Sequence, residues 1–198
     1  MLPSWWAESW PRATITSKKD VPQRAFFFDL GASIYQGESQ ESSLRWFHET
    51  YRQRGIHFDR IFAWEAKPYP TAKVFPSSMP DEVLDSLSYF NYPLEATPRA
   101  TRNPWRTLVA VTRPEDFVVI KIDFDTAAVE GELVEQILRD SALSALVDEL
   151  YFEQHTFDSP HAKYRLATPV REDQAHLADS YDVFTRLRRA GIRAHSWI

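Results

Sequence analysis

Four acidic residues stand at the ends of apolar runs in this chain, where they could bind a ligand. Asp29 and Asp123 end two strongly apolar runs, and Glu65 and Glu153 end two others. Carboxylates at strand ends accept hydrogen bonds from ribose hydroxyls or orient a substrate hydroxyl, although they also cap the helices that follow. If the four runs are parallel strands joined by right-handed crossovers, these residues lie at one edge of a sheet. We therefore expect a ligand site at that edge.

A second chemistry is suggested by the tripeptide Asp123-Phe124-Asp125, which follows the most apolar run of the chain. An Asp-x-Asp motif after a buried strand resembles the metal-binding motif of nucleotide-sugar glycosyltransferases. In that motif, carboxylate oxygens hold Mn²⁺ or Mg²⁺ against a diphosphate. In an extended strand the two carboxylates would share a face. This alternative leaves the earlier sequence DLGAS unexplained.

The histidines add one candidate to the acidic residues. His155 lies at the end of an apolar run, and an imidazole there could accept a proton from a substrate hydroxyl near neutral pH. His48 and His176 fall in helical patterns, where packing or surface roles are expected. The spacing of the histidines and acidic residues indicates no tight zinc site.

Alternating strands and helices are predicted to position these residues. Continuous apolar runs are typical of strands that are covered on both faces, and amphipathic segments separate them. This alternation predicts one α/β domain with a mostly parallel central sheet and a Rossmann-like three-layer architecture. The predicted strands cover 25–31, 58–65, 88–96, 117–123, 146–155 and 192–197.

The predicted helices are amphipathic, and a weaker helical stretch is expected around Asp81 to Leu87. The first should bury Leu44, Phe47, His48 and Tyr51 and end before Gly55. Thr126 is expected to cap a later helix. The last helix, from about 173 to 189, should turn Leu177, Tyr181, Phe184 and Leu187 inward. Between these helices, a proline-rich segment from Thr97 to Glu115 is predicted to form a loop with a short helix over 105–111, placed to cover the site.

Composition excludes several classes of protein. The chain of 198 residues has no cysteine, so it has no disulfide framework and no thiolate metal site. Its formal net charge of −5 argues against general affinity for nucleic acid. No apolar run approaches the length of about 20 residues that spans a bilayer, and the N-terminus lacks the layout of a signal peptide. We expect a soluble, cytoplasmic protein that acts on a small molecule.

The N-terminal segment differs from the rest of the chain. Residues 1–24 include Trp5, Trp6 and Trp10 together with several prolines. This composition predicts an aromatic arm that packs onto the domain or shields its site. The domain itself is expected to cover residues 25–198.

Four segments, taken in order, resemble one enzyme family. The sequences FFFDLGAS, RIFAWEAKP, DFVVIKIDFDTAAVE and ELYFEQH are similar to those of class I S-adenosylmethionine-dependent methyltransferases, in particular the FkbM-like branch. That branch has an Asp-x-Gly-Ala-Asn-x-Gly loop, a strand ending in Phe-Glu-Pro and a strand reading Lys-Ile-Asp-Val-Glu-Gly. The resemblance covers about residues 25–155.

The resemblance implies roles for individual residues. Asp29, Gly31 and Ser33 would form the turn beside the methionine part of S-adenosylmethionine, and Glu65 would accept hydrogen bonds from its ribose. Asp123 would line the reacting end. The expected function is O-methylation of a hydroxyl on a small molecule or sugar. In that reaction Asp123 would position the acceptor and His155 would take its proton.

The chain departs from the family pattern at two places. Ser33 and Tyr35 replace the asparagine and the second glycine of the first loop, and Asp125 and Thr126 replace the Glu-Gly step. Tyrosine does not allow the close backbone approach that glycine allows. Two alternatives to the methyltransferase therefore stay open: the metal-dependent glycosyltransferase, and a non-catalytic binding domain of the same fold.

Overall fold

Six parallel strands form the centre of the molecule. The computed structural model describes residues 23–35, 42–154 and 177–197, and its strands follow the order β3-β2-β1-β4-β5-β6. Every neighbouring pair in this order is parallel. The predicted α/β class, with a Rossmann-like single domain, is confirmed. The strands are β1 (Ala25–Leu30), β2 (Arg60–Trp64), β3 (Leu87–Phe90), β4 (Phe117–Ile122), β5 (Glu149–Phe152) and β6 (Arg193–Ser196).

Seven helices connect these strands within the described residues. Five of them correspond to predicted helices, and the one-turn helices α2 and α6 were not predicted because they have no repeating apolar face. No helix of the described part of the chain is long and apolar enough to cross a membrane. The helices are α1 (Ser43–Arg52), α2 (Thr71–Val74), α3 (Asp81–Ser86), α4 (Trp105–Val111), α5 (Ala127–Arg139), α6 (Ser141–Ser144) and α7 (Leu177–Arg189).

The central position of β1 follows from its composition. All six of its residues are buried, because it lies between β2 and β4 and helices cover both sheet faces. Phe26 and Phe28 pack into the core on one face, whereas Phe27 packs into the core on the other. The alternation of side chains along a strand places Asp29 on the same face as Phe27. That face is covered by α1.

Helix α1 has the predicted buried face. Leu44, Phe47, His48 and Tyr51 are all buried. The helix begins where Ser42 Oγ accepts a hydrogen bond from the backbone N–H of Arg45, at 3.3 Å. Ser43, the first residue of the helix, donates to Asp29 Oδ2 at 2.8 Å, so the helix begins at the carboxyl end of the sheet.

Two predictions about the helices are wrong. Leu177 and Tyr181 were expected to face inward, but they are 41% and 68% exposed, and only Phe184 and Leu187 of the predicted face are buried. An apolar period identifies one side of a helix, but it does not show how far along that side the core extends. Thr126 makes no side-chain cap; its hydroxyl lies 3.4 Å from the carbonyl oxygen of Phe124.

The segment after β3 packs against helix α5. Asn103 is 4% exposed, and its amide donates to Gln136 Oε1 at 3.0 Å. The indole N–H of Trp105 donates to the carbonyl oxygen of Leu133 at 3.2 Å. The predicted helix over 105–111 is confirmed. The contacts of buried Asn103 fix the part of this segment that comes before the helix.

Candidate functional site

The strand order reverses between β1 and β4, and we call this place the switch point. Chain connections lead from β1 to β2 and β3 on one side, and from β4 to β5 and β6 on the other. In open α/β sheets, ligands bind outside the carboxyl ends of the strands at such a point. Parallel pairing brings the predicted residues Asp29, Glu65, Asp123 and Glu153 to this edge.

Gly31 allows the loops after β1 and β4 to meet at the switch point. Its φ is +94°, and a Cβ atom there would lie 1.7 Å from the carbonyl oxygen of Asp123. Its N–H donates to the carbonyl oxygen of Trp64 at 2.9 Å, which also ties the loop to β2. The predicted glycine is therefore required by contact between two backbone segments.

Lys121 is a buried cation at the centre of the site. Its side chain is 2% exposed, and Nζ donates to the carbonyl oxygens of Gly31 at 2.7 Å and Asp123 at 3.2 Å. The same ammonium lies 3.4 Å from Asp29 Oδ1 and 3.4 Å from Asp123 Oδ2. Lys121 thus joins the two loops and balances part of the acidic charge.

Asp29 lies beneath the edge rather than on it. The residue is fully buried, and Oδ2 accepts a hydrogen bond from Ser43 Oγ at 2.8 Å. Burial raises the pKa of Asp29, although Lys121 and the Ser43 hydroxyl oppose the rise. In the structure Asp29 anchors the start of α1 and pairs with Lys121, so it supports the predicted turn from below.

Glu65 holds the loop that follows β1. Oε2 accepts a hydrogen bond from the backbone N–H of Ser33 at 3.0 Å, and Oε1 accepts one from Lys67 N–H at 2.7 Å. The Tyr89 hydroxyl donates to the carbonyl oxygen of Ser33 at 3.1 Å. Glu65 is 9% exposed. A carboxylate offers about four acceptor positions, so each oxygen retains one beyond these contacts.

The two departures in the first loop have different structural outcomes. Ser33 has φ +50°, in the left-handed region that asparagine tolerates better than serine. Tyr35 lies outside that region, and its side chain is 5% exposed within the core that also contains Phe27 and Phe47. The backbone therefore needs no glycine at position 35, whereas position 33 has a conformation that asparagine adopts more readily than serine.

Three carboxylates form a cluster after β4 and β5. One oxygen each of Asp123, Asp125 and Glu153 lies within 4.8 Å of the other two. This spacing and oxygen chemistry could hold Mg²⁺ or Mn²⁺. Burial alone would raise the pKa of Asp123, but the Lys121 charge and hydrogen bonds from Glu153, Lys121 and Trp197 lower it overall. Asp123 is therefore held as a carboxylate.

Glu130 supports the loop that carries this cluster. It is fully buried on α5, and Oε1 accepts a hydrogen bond from the backbone N–H of Phe124 at 2.7 Å. Burial, together with the nearby charges of Asp123 and Asp125, raises the pKa of Glu130 to about 7, although its backbone hydrogen bonds oppose the rise. This loop contains one left-handed residue, Asp125, with φ +59°.

Sequence reasoning missed four residues of the site, namely Lys121, Ser43, Glu130 and Trp197. One signal was present for Lys121, because a lysine inside a run predicted to be buried on both faces requires partners. Trp197 carried no such signal, since its indole reaches Asp123 across 74 positions of sequence. The predicted base His155 and the aromatic segment 1–22 lie outside the described residues.

Comparison of the chain with protein-family models, with curated proteins and with solved structures found no match.

Proposed function

We propose that this protein is an S-adenosylmethionine-dependent O-methyltransferase that acts on a hydroxyl of a small molecule or sugar. The observation that carries the proposal is the position of Glu65. Its carboxylate follows β2, contacts the backbone of the loop after β1 and lies beside the switch point. An acidic residue at the end of the second strand is the group that binds the ribose hydroxyls of nucleotide cofactors in sheets of this order.

The residues present fit such a cofactor. Glu65 keeps acceptor positions after its two backbone contacts, and ribose hydroxyls are donors. The loop from Gly31 to Ser33 is held by Glu65, Tyr89 and Lys121, so its backbone is ordered before any ligand arrives. This order reduces the entropy cost of binding.

Asp123 supports the transfer step of the proposal. Its side chain is 27% exposed, and the pKa of Asp123 is lowered, so it is an acceptor rather than a proton donor at neutral pH. S-adenosylmethionine supplies an electrophilic methyl group when bound. Asp123 would accept a hydrogen bond from the acceptor hydroxyl and hold it in place, an effect that contributes more to such a transfer than a base does. His155 as the base stays a prediction.

S-adenosylhomocysteine binding tests the proposal without a known acceptor. A ligand at about one hundred times its Kd stabilises the native state by about 2.7 kcal/mol, which a thermal shift detects. Glu65→Gln keeps the size of the side chain and should lose most of the shift. Glu115→Gln, at an exposed position, is the matched control. No shift of the wild type at millimolar ligand would contradict the proposal.

The carboxylate cluster favours a second candidate, a metal-dependent nucleotide-sugar glycosyltransferase. Asp123, Asp125 and Glu153 offer the hard oxygen ligands that Mn²⁺ needs beside a diphosphate. UDP and GDP sugars, tested with and without Mn²⁺, should then stabilise the protein where S-adenosylhomocysteine does not. Asp125→Asn should abolish that effect. A lack of response to both ligand classes would favour the third alternative, a non-catalytic binding domain of the same fold.

A further inference from the structure

The two oxygens of the Asp123 carboxylate have different surroundings. Oδ2 accepts a hydrogen bond from Trp197 Nε1 at 3.1 Å and lies 3.4 Å from Lys121 Nζ. The described contacts of the carboxylate with Trp197 and Lys121 therefore converge on one oxygen. Rotation about the last side-chain bond of an aspartate is broad, so a carboxylate with one contact would not keep a single orientation. The indole adds a directional contact to those that Asp123 makes with Lys121 and Glu153.

The indole of Trp197 is itself held in a fixed orientation. The backbone N–H of Trp197 donates to the carbonyl oxygen of Phe152 at 3.1 Å, which continues the pairing of β6 with β5. The ring packs edge-on against Trp46 at 5.2 Å between centroids, and Phe47 lies at 5.1 Å. These aromatic contacts leave the N–H directed at Asp123.

We propose that Trp197 is a positioning residue for Asp123, acting from the position after the last strand on the carboxylate at the switch point. This inference rests on the proposed function. An indole N–H donates one hydrogen bond and carries no charge, so it orients the carboxylate without neutralising it. Lys121 supplies the positive charge beside Asp123, and Trp197 sets the orientation of the Asp123 carboxylate. Asp123, whose side chain is 27% exposed, is thereby held in one orientation at the ligand edge.

This role has a physical reason in the kind of reaction proposed. Transfer of a methyl group depends on holding two reactants in contact, and a small misplacement of the positioning group costs much of the rate. Contacts with Lys121 on β4 and with Trp197 directly after β6 together restrict the rotation of this carboxylate. The binding of a nucleoside ligand near Asp123 should therefore depend on the Trp197 N–H even though Trp197 makes no contact with that ligand.

A double-mutant cycle with S-adenosylhomocysteine as the probe tests the inference. Trp197→Phe removes the N–H and keeps an aromatic ring, and it should weaken binding by about three- to tenfold, the range expected for one hydrogen bond. Asp123→Asn should weaken binding at least as much. The double variant should bind no more weakly than Asp123→Asn alone, because Trp197 acts through Asp123. Trp105→Phe likewise removes an indole N–H, which donates to the carbonyl oxygen of Leu133, and as the control it should leave the Kd unchanged.

A spectroscopic measurement keeps the test independent of how well Trp197→Phe folds. In protein labelled with ¹⁵N-tryptophan, the Trp197 indole N–H resonance should move on Asp123→Asn and on addition of S-adenosylhomocysteine. Equal binding by Trp197→Phe and wild type, with Asp123→Asn impaired, would overturn the inference and leave the proposed function intact. A Trp197 indole resonance that moves neither on Asp123→Asn nor on addition of S-adenosylhomocysteine would also overturn the inference. Absence of binding by the wild type would overturn both proposals.

Discussion

A methyl group on Gly31 would lie 1.7 Å from the carbonyl oxygen of Asp123, so the contact between the loops after β1 and β4 depends on glycine. Gly31→Ala combines a left-handed φ with an overlap against backbone. We expect it to lower the free energy of unfolding by roughly 2–5 kcal/mol in urea denaturation. Gly55→Ala is the control, since Gly55 has φ +77° but open space around its Cβ position. It should cost only about 1–2 kcal/mol. Equal losses at both positions would contradict the close contact.

Replacing left-handed residues by asparagine should stabilise the protein. Ser33 and Arg99 have φ of +50° and +65°, and asparagine adopts this region several-fold more often than other non-glycine residues. We expect Ser33→Asn and Arg99→Asn each to raise the free energy of unfolding by about 0.5–1 kcal/mol. Thr101→Asn, at an exposed turn residue outside this region, should give no gain. A gain at Thr101 as large as at Ser33 would assign the effect to composition rather than backbone conformation.

The fold could be predicted because its signals are local. The six residues of β1 are apolar except for Asp29 and all are buried, and the period of α1 matches its buried face. The convergence of acidic residues followed from the topology rule alone. Leu177 and Tyr181 were misjudged because the limit of the core depends on where the helix sits on the sheet, which no local pattern encodes.

The candidate site could be predicted only in part, because its contacts join distant positions. Asp29 and Asp123 were found from their place at strand ends. Their mutual dependence on Lys121, and the contact of Asp123 with Trp197, became visible only when the strands were paired. The position of a residue at a strand end indicates which edge of the sheet it lies at. The burial of its side chain and the identity of its hydrogen-bond partners depend on the neighbouring strands. The full burial of Asp29 could not be predicted from its place at a strand end for the same reason.

Removing the charge of Lys121 should destabilise the protein through Asp29. The two groups are 2% and 0% exposed, so Lys121→Met leaves a buried carboxylate without its cation. We expect a loss of about 3–5 kcal/mol, as is usual when one member of a buried pair is removed. Lys121→Met combined with Asp29→Asn should recover at least half of that loss. Lys73→Met, at an exposed helical position, should change little.

The difference in the free energy of unfolding between Lys121→Met and wild type should depend on pH. Burial raises the pKa of Asp29 in the folded protein, so its protonation favours folding as pH falls. Loss of Lys121 should raise that pKa further. The deficit of Lys121→Met relative to wild type should therefore shrink as pH is lowered from 8 to 5, in parallel urea titrations. A deficit that is constant across this range, or a double variant no more stable than Lys121→Met, would show that the pair does not couple.

Glu130 should make the native state less stable above neutral pH. The folded pKa of Glu130 is raised from 4.5 to about 7, because the side chain is buried near the charges of Asp123 and Asp125. The folded state therefore binds this proton more tightly than the unfolded chain does. The stability contributed by protonated Glu130 is complete below about pH 4.5 and is lost as pH rises through about 7.

Glu130→Gln separates this effect from packing, because glutamine has the same shape and stays neutral. Its carbonyl oxygen can still accept the N–H of Phe124, which Glu130 binds at 2.7 Å. We expect the variant to match wild type near pH 5 and to exceed it by about 1–3 kcal/mol at pH 8, measured as the free energy of unfolding in urea. Glu132→Gln on the same helix, where Glu132 pairs with Arg139 at the surface, should show no such crossover.

A Glu130→Gln protein that follows wild type at every pH would mean that Glu130 is not buried as a charge beneath the loop. The loop that carries Asp123 would then be more open to water than its contacts with Glu130, Lys121 and Trp197 indicate. The inference that this loop is ordered at the ligand edge would be wrong as well.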